Sequence, residues 1–293
     1  MNVALYGLGN MGFPIAERIA KHFSLQVFDI NADSLARAHA AFKGVPITDP
    51  AQLADTQVVV LSLPSPAISR GILAQIAPHL KRGTVVLETS TVNPVDIHAS
   101  VKLLEPFGID IVDASVMAGV AQMQGGTASL ALGGSEAAIA IARGVLDAIT
   151  EKQVSFGASG AGAAAKVINN AVAHAVMIVV AEAGSLATAA GVDCDKLVAL
   201  LSDKTMGLHR PLTYRYADRI MKGDYAGGMP LDAARKDSVL ALELAASLGV
   251  PMFAIQGSHS VYEMAVAAGY GRDDYAAVAK LWADWGRPTV PAR

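Results

Sequence analysis

The sequence predicts an open, doubly wound α/β sheet followed by an all-helical domain, the two joined by one long helix. Three observations carry this expectation. Short apolar runs alternate with helical segments up to about residue 158. A glycine-spaced turn, Gly7-Leu8-Gly9-Asn10-Met11-Gly12, lies between the first run and the first helical segment. After Gly160 the strand-like runs stop, and every periodic segment reads as a helix. The expected boundaries are 1–160 and 161–293.

Residues 2–6 read as the first strand, and Phe13 to Ala20 as the first helix. Between them the three glycines have separate tasks. Gly7 permits a tight turn, Gly9 lets a pyrophosphate approach the backbone, and Gly12 lets the helix pack close to the strand. The helix N-terminus is itself an anion site. This pattern in this context points to a Rossmann-type dinucleotide-binding domain, and a structural turn without ligand is the bland alternative.

A second strand, Leu25 to Phe28, ends in Asp29, seventeen residues after Gly12. A carboxylate there accepts from ribose hydroxyls and repels a 2′-phosphate, and neither Ile30 nor Asn31 supplies a cation. NAD is therefore expected in preference to NADP. The alternative for Asp29 is a cap on the helix that contains Ser34.

Val58 to Leu63 is a continuous apolar run, as a central parallel strand should be, and Pro64-Ser65-Pro66 ends it in a loop. Gly83 to Glu88 reads as the next strand, followed by Thr89-Ser90-Thr91. Asp110 to Val116 leads into a loop with Met117, Ala118, Gly119 and Gln122, and Ala128 to Gly134 reads as a further strand. Ligands of open α/β sheets sit beside such carboxyl strand ends.

The long helix is expected over residues 162–190. Its residues are small or helix-forming, with no proline before Pro211, and apolar nearly all round, so burial on several sides is expected. Lys166, Asn170 and His174 are spaced by four and share one face. Taken alone, Lys166 reads equally well as a tuned acid–base and as a lysine that snorkels from a helix start. Further helices are expected over 193–203, 211–222, 232–248, 254–269 and 273–285, with Asp193 and Asp273 as N-caps.

The 293 residues are 53% hydrophobic and 17% charged, enough apolar material for a large core. A net charge of -3 gives no reason to expect nucleic acid as a partner. Cys194 is the only cysteine, which excludes an internal disulfide and suits a reducing, cytoplasmic compartment. The seven histidines show no ligand spacing, so no metal site is expected. The first residues carry no basic leader, and no signal peptide is expected. The one stretch that resembles a membrane span, Ala171–Ala190, is interrupted by His174 and Glu182 and reads as a buried helix of a soluble protein.

Four motifs in order resemble the β-hydroxyacid dehydrogenase family, which includes 3-hydroxyisobutyrate dehydrogenase and tartronate semialdehyde reductase. Gly7 to Gly12 is similar to its cofactor motif. Leu63-Pro64 and Ser90-Thr91 are similar to its cofactor-contacting loops. Gly160-Ala161-Gly162 through Lys166 to Asn169-Asn170 resembles its catalytic G-x-G-x-x-x-K-x-x-N-N. Lys236-Asp237 resembles a later pair whose lysine approaches the cofactor. The resemblance covers the whole chain. It implies hydride transfer between NAD and a 3-hydroxyacid or the matching semialdehyde, with Lys166 as general acid–base and Asn170 orienting substrate or lysine. It implies Gly7, Leu8, Gly9, Asn10, Met11, Gly12, Asp29, Leu63, Pro64, Thr91 and Lys236 on the cofactor, and Met117, Ala118, Gly119, Gln122, Lys166 and Asn170 on the substrate. It also implies a homodimer or homotetramer.

One motif departs. Asp113-Ala114-Ser115-Val116-Met117-Ala118-Gly119 stands where the family has D-A-P-V-S-G-G, and Met117 cannot donate the hydrogen bond of that serine. Backbone N–H groups at Ala118 and Gly119, helped by Gln122, are the expected replacement, and the substrate is expected to be bulkier or more apolar there. His174 is expected to be packed or at an interface, and His209, Arg210, Tyr214 and Arg215 to be scattered surface residues. The alternatives are a reductase of another carbonyl or an imine on the same fold, and a non-catalytic dinucleotide-binding module. Lys166 argues against an imine reductase, and Lys166 with Asn170 against the non-catalytic module.

Overall fold

A computed structural model describes residues 1–290. The chain divides into two compact units, Met1–Ala171 and Val172–Arg293.

The first unit is built on an eight-stranded sheet of order β3-β2-β1-β4-β5-β6-β7-β8. Its strands are β1 (Val3–Tyr6), β2 (Leu25–Phe28), β3 (Val45–Pro46), β4 (Val58–Leu61), β5 (Val85–Glu88), β6 (Asp110–Val116), β7 (Leu130–Gly133) and β8 (Gln153–Gly157). The helices between them are α1 (Gly12–Ala20), α2 (Ala32–Phe42), α3 (Pro66–Ile76), α4 (Pro94–Leu104), α5 (Val120–Gln124) and α6 (Glu136–Ile149). The central strands β1, β4 and β5 are buried throughout, which is why they read as unbroken apolar runs rather than alternating ones.

Each sheet face has its own core. Leu5, Val27, Val60, Leu87 and Val112 pack with Ile15 and Ile19 of α1 and Val145 and Leu146 of α6. Tyr6, Val59, Leu61, Val86 and Ile111 pack with Leu73 and Ile76 of α3 and Ile97 and Leu104 of α4. Strand order reverses between β1 and β4, and the carboxyl ends of those strands open there.

Every pairing is parallel except β6 with β7. The link between those two strands carries only the five-residue helix α5. Strand β8 was not foreseen from the sequence. It is an exposed edge strand, and lacks the apolar run that marks a buried one.

Helix α7 (Ala161–Ala189) starts in the first unit and supplies the first helix of the second. Burial on several sides was expected for it and is corrected. Beyond Ala163 only Glu182 and Ala187 are buried, while Val172, Met177 and Ile178 are 58%, 60% and 53% exposed. Among the described residues, 171–175, 177 and 178 are exposed and Val176 is half-buried. By length and composition α7 would also be long enough and apolar enough to cross a membrane. His174 is exposed as well, so its expected packing does not occur within the chain.

The second unit continues with α8 (Cys194–Ser202), α9 (Leu231–Ser247), α10 (Phe253–Ala267) and α11 (Lys280–Asp284). Leu231, Ala265, Ala277 and Leu281 form its largest core. Glu182 caps α10, accepting from Ala254 N at 2.7 Å and Ile255 N at 3.2 Å. The helix expected over 211–222 breaks into a π-helical turn, Pro211–Tyr216, and a 3-10 turn, Ile220–Lys222. That over 273–285 becomes a 3-10 turn, Tyr275–Ala279, followed by α11. The N-cap of this turn is Asp274, not Asp273.

A buried ion-pair cluster lies at these breaks. The buried Asp274 receives Arg215 Nε at 3.0 Å and Arg219 Nε at 3.6 Å. Arg215 is therefore buried, with its guanidinium over the rings of Tyr214 and Tyr275, rather than a surface charge.

Candidate active site

The carboxyl ends of β1, β4 and β5, the turn after β6 and the start of α7 surround a cleft of about 690 Å³ in the first unit. Its lining includes Gly7, Gly9, Asn10, Met11, Gly12, Asp29, Ser62, Leu63, Pro64, Thr91, Val116, Ala118 and Lys166.

The glycine turn has the geometry its spacing implied. Gly7 has φ +97°, and a Cβ on it would meet Ser62 O at 2.1 Å. A Cβ on Gly12 would meet Gly7 O at 1.9 Å, so that glycine sets the closeness of helix to turn. A Cβ on Gly9 would meet nothing within 4 Å, and Gly9 lines the cleft. The space a side chain would take is open to a pyrophosphate beside the first turn of α1. The residues present therefore fit a dinucleotide.

Asp29 lines the same cleft. Its Oδ2 accepts from Leu8 N at 2.6 Å and its Oδ1 from Asn31 N at 2.8 Å. Asn31, not Asp29, caps α2, accepting from Asp33 N and Ser34 N. Each Asp29 oxygen keeps a lone pair for a ribose hydroxyl. Sequence reasoning missed Arg37. Its Nη2 donates to Leu8 O at 3.3 Å, and its guanidinium lies 3.9 Å from the Phe13 ring centroid. The cation nearest the turn is thus held by the turn itself and does not line the cleft. Its place on α2, eight residues past Asp29, was the only sequence signal for it.

Ser62, Thr89 and Ser90 also line the cleft. Ser90 ties two loops together, its Oγ accepting from Leu63 N at 2.8 Å and its own N donating to Glu88 Oε1 at 3.0 Å.

Lys166 reaches the cleft from the second turn of α7. Burial pulls its ammonium below the ordinary lysine value. Asn170, one turn further on, is not among the cleft-lining residues, and its Oδ1 accepts from Asn169 Nδ2 at 3.4 Å. Lys236 belongs to the second unit, where it is exposed and pairs with Asp237 at 3.2 Å.

In the turn after β6, Met117 N donates to Ser129 O at 2.8 Å, and Met117 is not among the cleft-lining residues, unlike Val116 and Ala118. Gly119 N donates to Gln122 Oε1 at 2.9 Å as the start of α5. The expected donor at Gly119 and the expected helper Gln122 therefore satisfy one another, which local capping explains. Of the two backbone donors considered, Ala118 N is the one left free within the described residues.

A glycine turn at a strand-order reversal and a lysine with a lowered pKa on the same cleft define a dinucleotide-dependent oxidoreductase. The comparisons with known proteins agree. Residues 2–158 match the NAD-binding domain of 6-phosphogluconate dehydrogenase, and residues 160–282 match the NAD-binding domain of NADP-dependent 3-hydroxyisobutyrate dehydrogenase. The 3-sulfolactaldehyde reductase of Escherichia coli is 30% identical over 282 residues, covering 94% of both chains. The 3-hydroxyisobutyrate dehydrogenase of Mycobacterium tuberculosis, solved with L-serine, matches with a TM-score of 0.66 and 26% identity, covering 96% of this chain and 98% of that one. An imine reductase of Streptomyces aurantiacus has the same fold, with a TM-score of 0.85 and 23% identity over 96% of this chain and 99% of that one. The chain belongs to the β-hydroxyacid dehydrogenase family, whose members are NAD(P)-dependent hydroxyacid dehydrogenases and semialdehyde reductases.

Proposed function

We propose that the protein transfers a hydride between NAD and a 3-hydroxyacid or the matching semialdehyde, with Lys166 as general acid–base. The observation that carries this reading is the lysine with a lowered pKa on the cleft formed by the glycine turn. When bound, the cofactor supplies or takes up the hydride. The protein must orient the carbinol carbon and move one proton.

The glycine turn and the start of α1 would hold the pyrophosphate, Asp29 the ribose hydroxyls, and Leu63, Pro64 and Thr91 the wall along the rest of the cofactor. In oxidation, neutral Lys166 Nζ accepts the hydroxyl proton. In reduction, its ammonium donates a proton to the carbonyl oxygen. Burial lowers its pKa and favours the neutral form, the direction a general base needs. Asn170 orients Lys166 or the substrate. Ala118 N is the free donor for a substrate anion, and Met117 in place of the family serine favours a bulkier or more apolar group nearby. The role of Lys236 on the cofactor rests on the family motif.

NAD is preferred over NADP in this reading because Asp29 repels a 2′-phosphate, while Arg37 is occupied by Leu8 O and Phe13. A homodimer or homotetramer is supported by the uncovered apolar stretch of α7, and a cytoplasmic home by the single, exposed, free Cys194.

The test is a panel of hydroxyacids and semialdehydes assayed with NAD and NADP, for wild type and Lys166→Ala. Turnover should fall about 10²–10⁴-fold in the variant, the usual worth of general acid–base catalysis, while NADH still binds. Activity retained within a few-fold would refute the role of Lys166.

A further inference from the structure

The glycines before Lys166 do not line the cleft, yet they are placed with little tolerance. Gly160 has φ +98°. A Cβ on Gly162 would meet Ala131 O at 2.5 Å, and one on Gly133 would meet Asp113 Oδ2 at 2.6 Å and Gly162 N at 2.7 Å. These absent side chains let the start of α7 settle against β7 and close on one carboxyl group. Asp113, 0% exposed on β6, accepts from Gly160 N and from Ala163 N, both at 2.7 Å. It thereby takes up N–H groups that a helix start leaves unpaired.

We propose that Asp113 is a positioning residue for Lys166, fixing the rotation and height of the first turn of α7 so that the lysine enters the cleft. The proposal rests on the reading of Lys166 given above. Ala163 and Lys166 are three residues apart and so lie near one face of the helix. Each residue turns an α-helix by about 100° and raises it by about 1.5 Å, so a slip of one residue at the start would carry the lysine out of the cleft.

The neighbouring strand bears on the charge. Glu88 on β5 is in register with Asp113, and both are buried. Two adjacent buried carboxyls do not both ionise readily. Burial pushes both upward, but the named partners of Asp113 are backbone N–H donors, which suit a carboxylate. Burial and the nearby Asp113 raise the Glu88 carboxyl, against hydrogen bonds from Ser90 and Ser69 that lower it.

The experiment compares wild type, Asp113→Asn and Lys166→Ala. In Asp113→Asn one oxygen becomes an amide NH2 that faces a backbone N–H, so one of the two grips is lost. Expected are a kcat lowered about 10- to 100-fold with the Kd for NADH within twofold of wild type, because misplacement of a reacting group costs rate rather than cofactor affinity. A residue that only holds the fold together would lower both. A second readout needs no substrate. In the cofactor-free protein, amide hydrogen exchange should speed up at least about tenfold over residues 160–170 and remain unchanged over β4 and β5.

Should Asp113→Asn fail to fold, Gly133→Ala displaces the carboxylate without removing it and should give the same split. Unchanged kcat and exchange in whichever variant folds, with Lys166→Ala inactive, overturn the positioning role alone. An active Lys166→Ala overturns the proposed function and this inference with it. Parallel losses of kcat and NADH affinity make Asp113 a structural residue and also overturn it.

Discussion

At Asp29, Glu88 and Lys166 the same few forces, burial and nearby N–H or charge, lead to different outcomes. Asp29 sits at the cleft with both oxygens held by backbone N–H, and on the proposed reading its carboxylate faces the ribose 2′ position. Asp29→Ser combined with Ile30→Arg should move preference from NAD toward NADP, read as the ratio of kcat/KM for the two cofactors. A ratio that does not move would mean that other contacts select the cofactor. Glu88 has its folded pKa raised by burial, so its contribution to stability is full below the unfolded value of about 4.3 and is lost as pH rises through the folded value. Glu88→Gln keeps the acceptor for Ser90 N without that titration. The Tm of the variant should therefore decline less than that of wild type as pH rises above the unfolded value, and parallel Tm curves would show that folding does not raise the Glu88 pKa. For Lys166 the lowered pKa predicts kcat/KM for oxidation rising with pH, with a midpoint below the ordinary lysine value of about 10.4. That midpoint should vanish in Lys166→Ala.

At the scale of elements, two helices begin on a buried carboxylate supplied by another element. Helix α7 begins on Asp113, and α10 begins on Glu182, which accepts from Ala254 N and Ile255 N. Burial pushes Glu182 up, but the backbone N–H groups of α10 outweigh it and hold the acid below its ordinary value. The sign is opposite to that of Glu88. Stability is present above the unfolded pKa and is lost as pH falls through the folded one. Glu182→Gln should lower stability at pH 7 by about 1 kcal/mol, the usual worth of an N-cap, and the gap should close below about pH 4. A gap that persists in acid would mean that packing rather than charge carries the effect. Gly162→Ala should cost more, about 1–3 kcal/mol, because its Cβ would meet the backbone of β7 and cannot be relieved by a side-chain rotation. Equilibrium denaturation of both variants reads these numbers.

For the whole molecule, the feature with most consequence is the uncovered stretch of α7. Val172, Met177 and Ile178 leave an apolar surface that a soluble monomer rarely carries. On the proposed reading a second copy covers it. Val172→Glu with Ile178→Glu should lower the mass measured by light scattering from that of an oligomer toward that of one 30.2 kDa chain. An unchanged mass would place the subunit contact elsewhere.

The sequence by itself determined the alternation of the first unit, the glycine turn, the Asp29 strand end, the long α7 and the helical character of the second unit. These are local signals, since turn chemistry, apolar runs and helix spacing are written in neighbouring residues. The cleft position of Lys166 was legible through a family motif rather than through its spacing alone. Tertiary structure decided the rest. Strand β8 pairs on the edge that β7 offers, and β7 runs antiparallel to β6, neither of which neighbouring residues reveal. Gly119 and Gln122 were expected to serve a substrate, but their local capping bond engages both. Arg215 was expected at the surface and is drawn inward by Asp274, fifty-nine residues away, together with the breaks in the helices around it. Asp113 carried no signal of its role, since the N–H groups it grips lie about fifty residues further along the chain. A burial argument from composition fails for α7 for the same reason: what covers an apolar helix depends on which surface reaches it, and a sequence read along one chain does not contain that surface.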